Sequence, residues 1–368
     1  NSVIRVNKDQ IKKSVWTANN SGSKIKIIKS YSDNEEGKVV ANEIFESASL
    51  HSISYKNFGI LYRTNAQSRA FEEALRKINI PYRIYGGLSF YQRKEVKDLL
   101  AYFRLSANLN DEESLKRIIN YPKRGIGLTT INKALVCANE KNVSLWDVIN
   151  EPDQFGFDVN SGTRAKLDLF CSMIQNYNSR VNKSNAYELA LEIAKNTGLI
   201  RDLSIDRTPE GIVRFENIQE LLNGIQEFTK GNNEQSLNTL GDFLIDVALL
   251  TDADKNDNDD NNKVSLMTIH AAKGLEFSNV HVVGMEEDLF PSMLSKNSRS
   301  DLEEERRLFY VAVTRAKINL TLSYAVSRFK WGNLIQCEPS RFLEELDPKY
   351  IEHTFSIKNN KKDFTNAI

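Results

Sequence analysis

Several stretches of this sequence combine residue types that could handle a ligand. In Thr268-Ile269-His270-Ala271-Ala272-Lys273-Gly274-Leu275-Glu276-Phe277 an imidazole, an ammonium and a carboxylate are interleaved with small residues. The segment follows an apolar run, Val264–Ile269, that reads as a strand, and open α/β sheets place ligands at the carboxyl ends of their strands. Ala271, Ala272 and Gly274 let a ligand approach the backbone closely. In Glu303-Glu304-Glu305-Arg306-Arg307-Leu308-Phe309-Tyr310-Val311-Ala312-Val313-Thr314-Arg315-Ala316-Lys317 the acids come early and the bases late, as suits the two ends of a helix. A Glu303–Arg307 pair, four apart, accounts for part of that charge run. Arg315 stands where the helix hands over to a strand. An arginine there can point out of its domain, towards a neighbour's phosphates.

A third stretch is basic. From Lys56 to Arg104 there are ten Lys or Arg against four Asp or Glu, with Tyr62, Phe71, Tyr82, Tyr85, Phe90 and Tyr91 interleaved. Positive charge beside stacking surface is the footprint of a single-stranded nucleic acid. Phe71 fits the apolar face of its own helix, so Arg63-Thr64-Asn65, which follows a strand, is the better ligand candidate. A fourth stretch is Tyr121-Pro122-Lys123-Arg124-Gly125-Ile126-Gly127-Leu128-Thr129-Thr130. Its two glycines expose backbone N–H groups beside Lys123 and Arg124, and Thr129 or Thr130 could cap the next helix. That combination suits a duplex phosphate backbone, although a plain interhelical turn would look the same.

Other chemistry is missing. The single Gly-Lys pair, Gly37-Lys38, is followed by Val39, so there is no G-x-x-x-x-G-K-[ST] phosphate loop. Asp111-Glu112-Glu113 has no buried strand before it and reads as a solvated helix start. His51, His270, His281 and His353 are scattered, and no nucleophile triad suggests itself. The three cysteines, Cys137, Cys171 and Cys337, are too far apart for a metal knuckle. A reducing, cytoplasmic setting is expected. Formal net charge is zero, so only local clustering speaks to a nucleic-acid partner.

The elements that must position these residues alternate at first. Lys24–Lys29, Phe58–Tyr62 and Tyr82–Tyr85 read as strands. Helices carrying Val39/Val40/Ile44/Phe45, Phe71/Leu75/Ile78 and Val96/Leu99/Leu100/Phe103 follow them. Ser32 with Glu35 looks like a capping box. Such alternation means βαβ units and a parallel sheet. From about Asn108 to Leu250 only helical periodicity is found. An acidic, polar run then reads as a solvated linker; it lacks the Gly and terminal Glu of a calcium loop. Strands return at Val264–Ile269, Val280–Gly284 and Asn319–Ala325, with a helix over Leu302–Val313. The expectation is one α/β domain interrupted by a helical insertion of roughly 150 residues. Its parts are a lead-in at 1–22, sheet segments at 23–107 and 263–350, helical domain at 108–250, linker at 251–262 and tail at 351–368.

Leu61-Tyr62-Arg63-Thr64-Asn65-Ala66-Gln67-Ser68-Arg69, Tyr85-Gly86-Gly87 through Asp98, the His270–Phe277 loop and the Glu303–Lys317 helix together resemble consecutive motifs of superfamily 1 DNA helicases of the UvrD/PcrA/Rep type. The similarity runs from about Lys24 to Pro339-Ser340-Arg341-Phe342. It implies a RecA-like second motor domain (2A) with a helical 2B domain inserted. It also implies a DNA-stimulated ATPase that moves 3′→5′ on single strands and separates duplex, with ATP and Mg²⁺ as cofactors. By motif, Arg315 is implied as the catalytic arginine at the γ-phosphate, Glu276 as a ribose contact and Gly274 as part of the nucleotide site. Arg63, Thr64, Asn65, Thr268 and His270 are implied to hold single-stranded DNA, with Trp331 stacking on a base. Lys123, Arg124, Gly125, Gly127, Thr129 and Thr130 are implied to grip duplex.

The first motor domain of that family, with its phosphate loop, Mg²⁺ ligands and glutamate base, has no counterpart in the sequence. The chain opens on Asn1 and is expected to be the C-terminal half of a helicase, inactive as an ATPase alone. The competing reading is a non-catalytic nucleic-acid or protein-binding module derived from a helicase. A helicase–nuclease is disfavoured, because no nuclease-like acidic cluster closes the chain.

Overall fold

The computed structural model describes residues 2–8, 16, 22–231, 237–252 and 261–355. Most of the lead-in and of the acidic linker, and the tail beyond 355, lie outside the described residues. The chain forms two compact units. The first comprises Asn1–Gly87, Asp259–Arg328 and Leu334–Ile368; the second comprises Leu88–Asn258 and Phe329–Asn333.

Among the described residues the strands, in chain order, are β1 Ile25–Ser30, β2 Phe58–Tyr62, β3 Tyr82–Ile84, β4 Val264–Thr268, β5 Phe277–Val282, β6 Ala316–Ala325, β7 Ser327–Lys330, β8 Asn333–Gln336 and β9 Ile351–Phe355. Seven of them make one sheet in the order β3-β4-β2-β5-β6-β1-β9, and every pairing in it is parallel. The fold is α/β, a RecA-like parallel sheet domain interrupted by a helical insertion. β2 sits near the centre and is buried along its whole length, as its unbroken apolar run requires. Phe58, Ile60 and Tyr62 share a core with Val264 and Leu266, whereas Leu61 joins Met267, Val280, Val282 and Leu322. Each such side chain stabilises the fold by about 1.5–3 kcal/mol.

The helices are α1 Asp33–His51, α2 Ser68–Lys77, α3 Lys94–Ala107, α4 Glu112–Ile118, α5 Leu128–Lys141, α6 Leu145–Asn150, α7 Pro152–Phe155, α8 Ser161–Asn178, α9 Ala186–Asn196, α10 Leu199–Ile205, α11 Pro209–Gly231, α12 Leu240–Asp252, α13 Arg299–Val313 and α14 Arg341–Glu344. α1 opens on Ser32, whose hydroxyl accepts from the Glu35 amide at 3.2 Å. The Glu35 carboxylate takes the Tyr31 amide rather than that of Ser32, so only half of the capping box forms. Val40 and Ile44 face the core, but Phe45 is 47% exposed. Gly37 lets α1 approach α2: a methyl group there would lie 2.6 Å from the Ala70 carbonyl oxygen. α3 belongs to the helical unit, because Val96, Leu99, Leu100 and Phe103 pack into the core shared by Leu115, Phe170, Leu189 and Leu221. No helix among the described residues is long and apolar enough to cross a membrane.

Candidate nucleotide and nucleic-acid surfaces

Parallel strands give the sheet an amino rim and a carboxyl rim. β5 and β6 start level, with Phe277 opposite Ala316, and Glu276 and Arg315 stand immediately before those residues. Both therefore lie on the amino rim. Arg315 is placed there by the end of α13: its amide donates to the Ala312 carbonyl at 3.1 Å, and its carbonyl accepts from Phe277 at 3.0 Å. The half-buried guanidinium donates from Nε to the Val311 carbonyl (3.1 Å), from Nη1 to the Leu275 carbonyl (2.9 Å) and from Nη2 to the Thr314 hydroxyl (3.1 Å). It makes no ion pair among the described residues. Glu276 is exposed, with Lys317 Nζ at 3.5 Å. Gly274 has φ +91°, a backbone conformation that side chains disfavour, with open space where a Cβ would stand.

β2 and β4 end level on the opposite rim, with Tyr62 opposite Thr268. At about 3.3 Å per residue, the rims lie roughly 15–20 Å apart. Arg63 and Thr64 each donate a backbone N–H to Gln67 Oε1, at 2.9 and 2.8 Å. Thr64 also forms a capping box with Gln67, which fixes Asn65 at the start of a short 3-10 helix. The Thr268 hydroxyl accepts from the Ala271 amide at 3.3 Å and so turns the chain at His270. Burial, then the nearby Arg63 charge, hold the His270 imidazole below its ordinary pKa. The structure thus gathers Arg63, Thr64, Asn65, Thr268 and His270 on one rim. The Arg63 guanidinium is itself engaged by Glu305 of α13, at 2.7–3.1 Å.

The remaining candidates lie in the helical unit. The Tyr121–Thr130 turn is tied by Asn120, whose Oδ1 accepts from the amides of Arg124 (2.9 Å) and Ile126 (3.2 Å). The Arg124 guanidinium turns inward. It donates to the carbonyls of Ile118 (2.9 Å), Pro122 (3.3 Å) and Thr197 (3.2 Å) and to the Tyr102 hydroxyl (2.6 Å). It also lies over the rings of Tyr102 and Phe170. Lys123, Gly125, Gly127 and Thr129 are exposed, and Thr130 is half-buried. The N-cap of α5 is Gly127, not Thr129 or Thr130, which fall inside its first turn without capping it. Lys166 of α8, which nothing in the local sequence singles out, places Nζ 3.2 Å from the Gly125 carbonyl oxygen and adds a cation to this turn.

Trp331 occupies a hairpin that the sequence reading missed. β7 and β8 pair through Trp331-Gly332, with φ of 53° and 77°. Two left-handed residues in a two-residue link are the signature of a type I′ turn, and Gly at its second position was the available signal. The indole packs against Phe215, ring centroids 5.5 Å apart. Among the described residues no group of three His, Cys, Asp or Glu could hold a metal ion.

The family model of the UvrD-like helicase C-terminal domain matches residues 1–327. The ATP-dependent DNA helicase PcrA of Staphylococcus aureus is 39% identical over 360 residues, which are 97% of this chain and 48% of that protein. PcrA of Staphylococcus epidermidis is 39% identical over 357 residues, 96% of this chain and 48% of that protein. The chain spans about half the length of these relatives. It belongs to the UvrD-like helicase C-terminal domain family.

Proposed function

We propose that this chain supplies the second motor domain and the inserted helical domain of an ATP-driven helicase that moves 3′→5′ along single-stranded DNA and opens duplex. The observation that carries the reading is the pairing of Arg315 with Glu276 on one rim of the sheet and of the Arg63-to-Asn65 loop with Thr268 and His270 on the other. The named relatives are ATP-dependent DNA helicases. A cytoplasmic location goes with this reading.

The residues of the amino rim fit a nucleotide. Among the described residues Arg315 has no carboxylate partner and is held by carbonyl and hydroxyl acceptors that it can exchange for phosphate oxygens. Bound with Mg²⁺, ATP supplies the phosphoryl group whose transfer to water drives the motor. Arg315 stabilises the charge that spreads over that group. Glu276 accepts from the ribose hydroxyls, and Gly274 lets the loop come close. The Mg²⁺ ligands and the phosphate loop belong to the first motor domain. On the carboxyl rim Thr64, Asn65, Thr268 and His270 hydrogen-bond the single strand, and Arg63, its charge offset by Glu305, lends N–H donors. Trp331, in the helical unit, stacks on a base. Lys123, Gly125, Gly127, Thr129 and Thr130 meet the duplex backbone, and Arg124 shapes the turn from behind.

The test is complementation. This chain alone is expected to show negligible ATP hydrolysis and salt-sensitive DNA binding. Adding a matching N-terminal half that carries the phosphate loop is expected to restore DNA-stimulated turnover. Robust turnover by the chain alone, or a restored activity indifferent to Arg315→Ala, sinks the reading.

A further inference from the structure

Within the sheet unit, one buried side chain holds the loop that follows β2. Gln67 is 7% exposed, and its Oε1 accepts from the amides of both Arg63 and Thr64, at 2.9 and 2.8 Å. Its own amide donates back to the Thr64 carbonyl at 3.2 Å. The backbone of the loop is thus bonded inward. What it can offer a ligand is its side chains, those of Thr64 and Asn65 among them.

The other end of the Gln67 amide rests just beyond β5. Nε2 packs on Gly284 so closely that a methyl group there would lie 2.1 Å from it. Gly284 is itself fixed. Its amide donates to Glu36 at 2.8 Å, and its neighbours Val283 and Met285 donate to the carbonyls of Leu61 and Ser323 at 3.0 and 2.9 Å. The seat is rigid, and glycine is what leaves room for the amide. Nε2 is buried and has no hydrogen-bond partner among the described residues. A buried donor left unpaired lowers stability, and a methionine of the same length would avoid that loss. The amide therefore serves through its oxygen, the atom that holds the loop.

We infer that Gln67 is the positioning residue of the Arg63-to-Asn65 loop: wedged between Gly284 and the loop backbone, it sets the place at which Thr64 and Asn65 meet single-stranded DNA. The inference rests on the reading of that loop given above. Gln67 is uncharged and buried, so it acts through the loop and not by touching the strand. Gln67→Met keeps length and neutrality and removes the acceptor. A fall in DNA affinity in that variant cannot come from a change of charge.

The experiment combines hydrogen exchange, urea unfolding and DNA titration on the full 368-residue chain. In Gln67→Met the amides of Arg63 and Thr64 are expected to exchange about tenfold faster, while those within β2 stay protected. Affinity for a fluorescent oligothymidylate is expected to fall about fivefold in Asn65→Ala, the loss of one hydrogen bond, and by a similar factor in Gln67→Met. Combined, the two substitutions are expected to lose less than the product of the single effects, since Gln67 acts partly by placing Asn65. Full multiplication overturns the inference. A merely structural role for Gln67 lowers the urea midpoint and leaves the affinity of the folded chain unchanged, and that result overturns it too. So does unchanged exchange at Arg63 and Thr64. If Gln67→Met misfolds, Gly284→Ala, which drives the amide from its seat, must weaken oligothymidylate binding; affinity equal to that of the parent chain overturns the inference equally. The loop reading is tested apart. If Asn65→Ala binds as the parent chain does, that reading fails and the inference falls with it, whereas a loss in Asn65→Ala with none in Gln67→Met overturns the inference alone.

Discussion

Arg63 and Glu305 are 242 positions apart in sequence and form a bidentate ion pair, Arg63 Nε lying 3.1 Å from both carboxylate oxygens and Nη2 2.7 Å from Oε1. The pair ties the end of β2 to α13. The same carboxylate accepts from the Ser292 amide at 3.2 Å, so it also orders the loop that leads into the helix. Because α13 ends at Val313, two residues before Arg315 on the far rim, one helix is braced at one edge of the sheet and delivers a cation to the other.

Glu305→Gln is expected to destabilise the fold by about 1–3 kcal/mol, since the charge-assisted fork is lost while Arg63 stays partly buried. Urea unfolding measures this. The double variant Arg63→Gln/Glu305→Gln is expected to lose less than the sum of the two single variants. Strict additivity would mean that the pair contributes nothing as a pair.

Arg315→Ala is expected to lower turnover of the complemented enzyme by about 10³-fold or more, the range for an arginine that stabilises phosphoryl transfer from a neighbouring domain. DNA affinity should stay within about twofold, because Arg315 sits on the opposite rim from the loops proposed to hold the strand. Steady-state ATPase assays and anisotropy titrations on the same samples check both statements.

His281 gives a pH dependence with a definite sign. It lies in β5 with Glu43 and Lys26 nearby, and burial holds its pKa down at about 4, against 6.5 for a free imidazole. The unfolded chain therefore takes up a proton between those values and the native state does not. The stability this adds is present above about pH 6.5 and fades as pH falls towards 4, by on the order of 3 kcal/mol. His281→Asn is expected to flatten the acid limb of a stability–pH profile. An unchanged limb would locate the titrating group elsewhere.

At the Gly125 turn, Lys166→Ala and Arg124→Ala should differ in kind. Lys166 is exposed beside the turn, so its loss is expected to weaken duplex binding and to reduce the salt slope by about one. Arg124 serves internal acceptors, so its loss is expected to cost about 2–4 kcal/mol of stability. Thermal melts and salt-dependent duplex titrations separate the two.

The parts of the fold that could be read in the sequence are those whose partners lie close by or whose pattern is strong. β2 announced itself as an unbroken apolar run, and α13 through its charge gradient. Arg315 was legible because it stands at a helix-to-strand boundary. What could not be read depends on distant segments. β9 pairs with β1 across more than the length of the helical unit. Glu305 reads locally as one of three solvated acids, and only the fold brings Arg63 to it. Phe45 has the spacing of a core residue, yet it stands at the edge of the apolar face of α1 and is left exposed. Arg124 turns inward over the rings of Tyr102 and Phe170, and Lys166, distant in sequence, is the cation left exposed beside the Gly125 turn.

The separation of the two rims has a pharmacological corollary. A small molecule lodged beside Glu276 shares no atoms with anything bound at Thr64, and the converse holds as well. Inhibitors found at either end should leave occupancy of the other end sterically possible, so two such compounds can be carried by one slab of protein at once.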